Sequence, residues 1–175
     1  MIFWVVFALA TIALVVLSWR VSIKAKRYHG LCRFFAFEAI LALFLLNVPF
    51  WFDDPFSIPH VLSWLFLTAS LILAIHGAYL LKKLGRPQGQ IENTTRLIVS
   101  GVYRWIRHPL YASLGLLGLG IFLKRTTTMT AILALVDLIA VYLTALIEEK
   151  EMRVRFGEDY ETYRRKTKMF VPYVF

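Results

Sequence analysis

Five runs of apolar residues, separated by short polar segments, dominate the chain. They cover roughly residues 2–18, 32–52, 58–81, 110–123 and 129–147. A helix needs about 20 apolar residues to cross the ~30 Å hydrocarbon core of a bilayer, and most of the runs approach that length. The fourth run is the exception, because at ~1.5 Å per residue it covers roughly 21 Å. The pattern predicts an all-α, polytopic membrane protein with about five transmembrane helices, the fourth starting inside the interface.

The composition agrees with this fold class and limits the number of domains. The chain has 175 residues, of which 59% are hydrophobic, whereas a soluble domain is closer to half apolar. We therefore expect a single integral membrane domain over residues 1–175. The first run has neither a basic leader nor a small-residue cleavage site, so it is predicted to be a retained helix. The single cysteine, Cys32, excludes an internal disulfide and a cysteine-cluster metal site.

The distribution of cationic residues predicts how the helices are oriented. If the N-terminus lies outside, then the loops after the first and third runs and the C-terminal tail lie inside. These segments hold all 20 lysines and arginines except Lys124 and Arg125. Because cytosolic segments are enriched in lysine and arginine, this bias predicts five spans with a cytosolic C-terminus. It also explains the net charge of +9 without a nucleic-acid partner.

The sequence GVYRWIRHPLYASLG, residues 101–115, joins a charged loop to the start of the fourth run. Arg107 and His108 are costly at a membrane boundary unless a polar group is bound there. Pro109 has no backbone N–H, so it suits the first position of a helix. The free N–H groups of that first turn, at the positive end of the helix dipole, point back towards the loop. We expect the loop to hold a small molecule with an anionic tail at the membrane face.

Two adjacent carboxylates, Glu148 and Glu149, close the fifth run. One interpretation is that they mark the end of the helix and pair with Lys150 or Arg153. The other is that a carboxylate there accepts hydrogen bonds from the hydroxyls or the ammonium group of a ligand. The charge distribution places both glutamates on the same side as the loop before the fourth run. Donors in one segment and acceptors in the other together suit a zwitterionic ligand.

The second half of the chain carries four motifs: Leu97-Ile98-x-x-Gly101-Val102-Tyr103, Arg107-His108-Pro109-x-Tyr111, Glu148-Glu149 and Phe156-Gly157-x-x-Tyr160. In order and spacing they resemble the isoprenylcysteine carboxyl methyltransferase and phospholipid methyltransferase superfamily of integral membrane enzymes. The resemblance covers about the last 90 residues, whereas the first three runs share only hydrophobicity. It divides the domain into scaffold helices, residues 1–84, and a cofactor-binding half, residues 85–175.

The resemblance implies S-adenosylmethionine as cofactor, bound at the cytosolic face without a metal. The sulfonium methyl is transferred directly to a lipophilic carboxylate, amine or phenol that enters from the bilayer, so alignment of the reactants is the main contribution of the protein. The resemblance also implies which residues contact the cofactor: Gln88, Thr95, Arg96, Leu97, Ile98, Tyr103, His108, Pro109, Leu110, Tyr111 and Glu148.

One position departs from the family pattern. Isoprenylcysteine methyltransferases carry an arginine one helical turn before the first motif glutamate, and Thr144 occupies that position here. Because threonine cannot supply the charge, either the substrate is not a prenylcysteine carboxylate or Arg107 or Arg96 serves instead. Arg107, Thr144 and Glu149 are therefore the candidate substrate-binding residues. The catalytic residues stay unassigned, although an amine acceptor needs a base, for which His108 and Glu149 are nearest.

Other polar groups in the apolar runs have two interpretations each. Asp137 shares a helix stripe with Thr144 and Glu148 and is either a functional intramembrane acid or a neutral structural residue. His76 is expected to be a buried structural histidine, with a place in the cofactor cavity as the alternative. The aromatic tail, residues 163–175, either folds back over the cofactor or forms an interfacial amphipathic segment.

Two other functional classes stay open beside a membrane methyltransferase. Sterol reductases that use NADPH share a similar Arg-His-Pro-x-Tyr motif and a Tyr-x-x-Tyr tail. They usually lack the paired glutamates and have more spans, so Glu148 and Glu149 favour methyl transfer. A non-catalytic membrane scaffold predicts that substitution of His108 or Glu148 changes neither ligand binding nor phenotype.

Overall fold

The computed structural model of the protein describes residues 2–19, 29–86 and 94–174, and these residues form an all-α fold without a β-strand. Two short 3₁₀ helices, Val48–Phe50 and Gly101–Arg104, accompany the α-helices. The α-helices are α1 Ile2–Ser18, α2 His29–Asn47, α3 Ile58–Leu84, α4 Pro109–Phe122 and α5 Thr128–Lys166. The prediction of an all-α protein is confirmed.

Among the described residues, three segments are long and apolar enough to cross a membrane: Gly30–Phe50, Ile58–Leu84 and Thr128–Lys166. Two apolar helical segments, Trp4–Ser18 and Pro109–Phe122, are shorter. Helix length therefore supports three spans and not the expected five. The predicted shortness of α4 is confirmed, because Pro109 stands at its first turn and Lys124 and Arg125 follow its end.

The helices α3 and α4 pack antiparallel, with small residues between them. Ser63 Oγ donates to the Gly120 carbonyl at 2.6 Å, and Ser70 Oγ donates to the Ser113 carbonyl at 2.7 Å. A Cβ on Gly120 would lie 2.9 Å from the Leu67 side chain. Because the two helices run antiparallel, the first turn of α4 lies beside the last turns of α3.

The last helix, α5, continues well beyond its apolar part. A capping box between Thr127 and Thr130 begins it, and its apolar residues end at Ile147. From Glu148 onward the helix is polar, and this part is called the polar extension below. Gly157 interrupts the extension with φ 53° and ψ −128°, a backbone conformation that favours glycine.

The tail after α5 runs alongside the loop that precedes α4. The amides of Arg107 and His108 donate to the carbonyls of Lys168 and Met169, at 2.8 and 3.2 Å, and Lys168 N–H donates to the Trp105 carbonyl at 3.1 Å. Phe170 packs against the ring of His108, with centroids 6.2 Å apart. The tail therefore folds back onto the Arg-His-Pro loop, and its predicted position over the cofactor stays a prediction.

Candidate functional site

A cavity of about 310 Å³ lies between the loop before α4, the first turn of α4 and the polar extension of α5. The scaffold helices α2 and α3 also line it, through Arg33 and Phe37 and through Ala74 and Leu81. Most of the site residues predicted from sequence line this cavity: Arg96, Leu97, Ile98, Tyr103, Arg107, His108, Pro109, Leu110, Tyr111 and Glu148.

Four predicted residues do not line the cavity or cannot be placed. Thr95 is exposed, and its hydroxyl donates to the Arg86 carbonyl at 3.0 Å. Thr144 is buried and donates to the Ala140 carbonyl of the preceding helical turn at 2.7 Å. Glu149 faces Arg107 rather than the cavity, as described below, and Gln88 lies outside the described residues.

His108 and Glu148 meet at one edge of the cavity. His108 Nδ1 lies 3.8 Å from Glu148 Oε2, and the imidazole stacks on the Tyr111 ring with centroids 5.6 Å apart. His108 Nε2 lies 3.5 Å from Glu149 Oε1, at the limit of hydrogen-bond distance, and this nitrogen makes no hydrogen bond with the described residues. The two polar segments expected to converge are therefore adjacent in space.

Arg107 and Glu149 form a buried ion pair behind this edge. Arg107 Nε and Nη2 both lie 2.7 Å from Glu149 Oε1, and Nη1 donates to the Thr167 carbonyl at 2.6 Å. Glu149 lies in the polar extension, outside the apolar part of α5. Burial alone would raise the pKa of Glu149, but His108 and Arg107 outweigh it and lower the pKa from 4.5 to about 2. The pair therefore stays charged and joins the loop, α5 and the tail.

Comparison with known proteins gives the chain a family. A family model described as phospholipid methyltransferase matches residues 58–159. The chain belongs to the phospholipid methyltransferase family. It is also similar to a methanethiol S-methyltransferase of Crocosphaera subtropica, with 33% identity over 75 residues that make up 41% of this chain and 28% of that protein. Both comparisons point to methyl transfer at a membrane, and neither favours the reductase alternative.

Two tyrosines that the sequence analysis did not assign to the site also line the cavity of this phospholipid methyltransferase family member. The Tyr163 hydroxyl donates to the Tyr103 carbonyl at 2.7 Å and so ties the polar extension to the loop. The Tyr160 hydroxyl is buried and has no hydrogen-bond partner among the described residues. The sequence signal for both is their spacing of three residues, which puts them on one helical face after Gly157.

The two polar residues with open interpretations lie elsewhere in this family member. Asp137 is fully buried against α4, where a Cβ on Gly118 would collide with its carboxylate. It does not line the 310 Å³ cavity. His76 is exposed beside Gly101, so the expectation of a buried histidine was wrong, because α4 packs on the neighbouring face of α3, at Gly77. His76 does not line the cavity either. The described residues contain no group of three His, Cys, Asp or Glu placed to hold a metal ion.

Proposed function

We propose that this protein transfers the methyl group of S-adenosylmethionine to a lipophilic acceptor at the cytosolic face of the membrane. Membership of the phospholipid methyltransferase family supports the reaction class. The observation that carries the proposal is the 310 Å³ cavity, onto which both the first turn of α4 and Glu148 open. A cavity of this size is at the lower end of the range that encloses small ligands.

The lining suits the two ends of this cofactor. Leu110 and Tyr111, in the first turn of α4, line the cavity at the positive end of the helix dipole. Glu148 is an acceptor for an ammonium group or ribose hydroxyls, while Leu97 and Ile98 offer apolar surface to the adenine ring. The cofactor brings an activated methyl group, so the chain has to hold the reactants in line and exclude water.

The acceptor is proposed to enter through a second, apolar cavity of about 850 Å³ between α1, α2, α3 and α4. Phe37, Ala74, Ser113 and Leu114 line both cavities, so the two adjoin at that point. A hydrocarbon chain in the second cavity would bring its polar end towards the first. This arrangement supports a membrane lipid or another lipophilic molecule as the acceptor, with neither nucleic acid nor metal involved.

The polar end of the acceptor is a carboxylate, an amine or a phenol in this proposal. The similar cyanobacterial protein is named for S-methylation of methanethiol, so a thiol belongs among the acceptors to be tested. The Thr144 hydroxyl is already bound within the helix, and Arg107 is paired with Glu149. An isoprenylcysteine carboxylate, as in the isoprenylcysteine carboxyl methyltransferases, would therefore rely on another cation of the cavity, Arg33 or Arg96.

An amine acceptor would also need a base. The low pKa of Glu149 makes this carboxylate a poor base near neutral pH. His108 Nε2 has no hydrogen-bond partner among the described residues, so His108 is the better candidate. A carboxylate acceptor needs no base, and His108 would then only bind and orient the ligand.

We further propose that the protein crosses the membrane several times, with its N-terminus outside and its C-terminus in the cytosol. The cationic residues near the cavity end of the helices, Lys82 and Lys83 of α3 and Arg164 and Arg165 of α5, support this orientation. The short helices α1 and α4 would then complete five membrane-embedded helices around the acceptor cavity.

The test is calorimetry on the detergent-purified protein with S-adenosylmethionine and with NADPH, followed by transfer of a labelled methyl group to a membrane lipid extract. We expect binding of S-adenosylmethionine, a labelled lipid product, and loss of both after His108→Ala with Glu148→Gln. Binding of NADPH alone would support the reductase alternative. Unchanged ligand binding in the double variant would support a scaffold and overturn the proposed site.

A further inference from the structure

Tyr160 has a buried hydroxyl that lies near Arg107 but makes no hydrogen bond within the described residues. The side chain lines the proposed cofactor cavity, its residue is only 2% exposed, and its hydroxyl has no hydrogen-bond partner among the described residues. Buried side-chain hydroxyls are usually hydrogen-bonded, and leaving one unpaired costs free energy. Tyr163, one turn further on, does have a partner in the Tyr103 carbonyl. The difference suggests that the partner of Tyr160 is a molecule bound in the cavity.

A backbone break brings Tyr160 to this position. Gly157 has φ 53° and ψ −128°, and a Cβ built on it would contact nothing within 4 Å. The glycine is therefore explained by backbone conformation and not by close packing, because residues with a side chain rarely adopt this region. The break redirects the polar extension so that Tyr160 lies over the same cavity as Glu148.

The charged groups nearby indicate which ligand atoms Tyr160 can meet. Burial raises the pKa of Tyr160, the charge of Glu149 raises it further, and the charge of Arg107 offsets part of the increase. The phenol therefore stays protonated at neutral pH and is available as a donor. Arg107, the obvious partner for an anion, is already bound to Glu149 and to the Thr167 carbonyl. A neutral donor such as the Tyr160 hydroxyl can therefore add to the remaining cations of the cavity, Arg33 and Arg96, at the anionic end of a ligand.

The amino-acid end of S-adenosylmethionine has a carboxylate and an ammonium group on one carbon atom. It therefore requires a donor and an acceptor close together. We propose that the Tyr160 hydroxyl donates a hydrogen bond to the carboxylate of the bound methyl donor, while Glu148 accepts from its ammonium group. This assignment rests on the proposed function and makes Tyr160 a cofactor-binding residue.

The test uses Tyr160→Phe, which removes the hydroxyl and keeps the ring, with three ligands titrated by calorimetry into the full-length protein in detergent. S-adenosylmethionine and S-adenosylhomocysteine carry the carboxylate, whereas 5′-methylthioadenosine lacks the whole amino-acid end. Loss of a hydrogen bond to a charged group is expected to weaken binding of the first two by about 10- to 100-fold. Binding of 5′-methylthioadenosine should not change.

Tyr79→Phe is the matched control, because Tyr79 does not line the cavity and its hydroxyl accepts a hydrogen bond from Lys83. It should leave the binding of all three ligands unchanged. If Tyr160→Phe binds all three like the wild type, or weakens all three equally, then Tyr160 does not contact the carboxylate and the inference is wrong. If the wild-type protein binds none of the three, it is the proposed function that fails.

Discussion

The two ends of α4 both carry cations beside buried residues, but the cations are neutralised differently. At the N-terminal end, Arg107 pairs with Glu149 at 2.7 Å and donates to a backbone carbonyl of the tail. Beyond the C-terminal end, Lys124 Nζ lies 3.6 Å from the centroid of the Trp64 ring, and Arg125 Cζ lies 4.0 Å from that of Phe50. Carboxylate and carbonyl oxygens bind the cation at the N-terminal end, whereas aromatic rings contact the cations at the C-terminal end.

This difference explains why the N-terminal end of α4, called the cavity end because it borders the 310 Å³ cavity, suits a polar ligand. Ion pairs and hydrogen bonds are directional, so they fix Arg107 and Glu149. His108 Nε2 and the Tyr160 hydroxyl, beside the cavity, make no hydrogen bond within the part of the chain that the structure describes. A cation over a ring needs no directed acceptor. Lys124 Nζ also has no hydrogen-bond partner among the described residues, but it faces a ring and does not line the cavity.

The largest expected effect of a single change is that of Arg107→Ala on stability. The substitution leaves the Glu149 carboxylate buried without its main partner, which is expected to cost about 3–5 kcal/mol of the free energy of unfolding. The measurement is unfolding in mixed detergent micelles. Arg125→Ala at the other end is the control and should cost only about 0.5–1 kcal/mol, because an exposed cation–π contact is lost. Equal losses at the two ends would remove the contrast between them.

The adjacent glutamates sharpen the comparison within the cavity end. Glu149→Gln weakens the pair with Arg107 and is expected to lower the free energy of unfolding by about 1.5–3 kcal/mol. Glu148→Gln should change stability by less than about 0.5 kcal/mol but weaken S-adenosylmethionine binding by about 10-fold, since one charged contact is lost. Unfolding and calorimetry on both variants give the test. The reverse assignment, with Glu148 supporting the fold and Glu149 the ligand, would contradict the geometry.

These two glutamates also show how far the sequence predicts the site. Topology alone placed Glu148 near His108, because the cationic residues put the loop and the end of the fifth run on one side. The family resemblance assigned Glu148 to the cofactor, but the helix pattern alone could not tell which glutamate faces the cavity, since neighbours on a helix point roughly 100° apart and the rotation of α5 depends on tertiary packing. Tyr160 was missed for a related reason, because its direction depends on the backbone break at Gly157.

The fold, like the site, was predicted from the sequence only in part. The apolar runs predicted the helices because charged or proline-containing segments end them, as Lys82 and Lys83 do near the end of α3. The runs predicted the short α4, but they also predicted a span for α1, which by length belongs with the shorter apolar helices. Nor did they predict the pairing of the tail with the loop, because it is made by backbone atoms whose partners carry no sequence signature.

A smaller effect is expected from Gly157→Ala, which tests whether the cavity end depends on the backbone break. A side chain at φ 53° and ψ −128° is strained, with an expected cost of about 1–3 kcal/mol. If the strain is relieved by straightening the extension, S-adenosylmethionine binding should fall as well. Gly115→Ala is the control, because that glycine lies within helical α4 and a Cβ would be 3.3 Å from one flexible side chain, Leu138. A loss confined to Gly115→Ala would show that the break is not required.

The smallest effect is expected from Lys124→Met, at the C-terminal end of α4. This is called the aromatic end because the rings of Trp64 and Phe50 face its cations. Lys124 is 3% exposed, so its ammonium group has lost most of its hydration, and the contact with Trp64 returns only part of that free energy. Methionine keeps the length of the side chain and makes favourable contacts between its sulfur and aromatic rings. We therefore expect the free energy of unfolding to change by less than about 1 kcal/mol, in either direction. Binding of S-adenosylmethionine should be unchanged, because the substituted residue does not line the cavity. A weakening of binding in this variant would mean that the two ends are coupled through α4, and that the aromatic end supports the site rather than only closing the bundle.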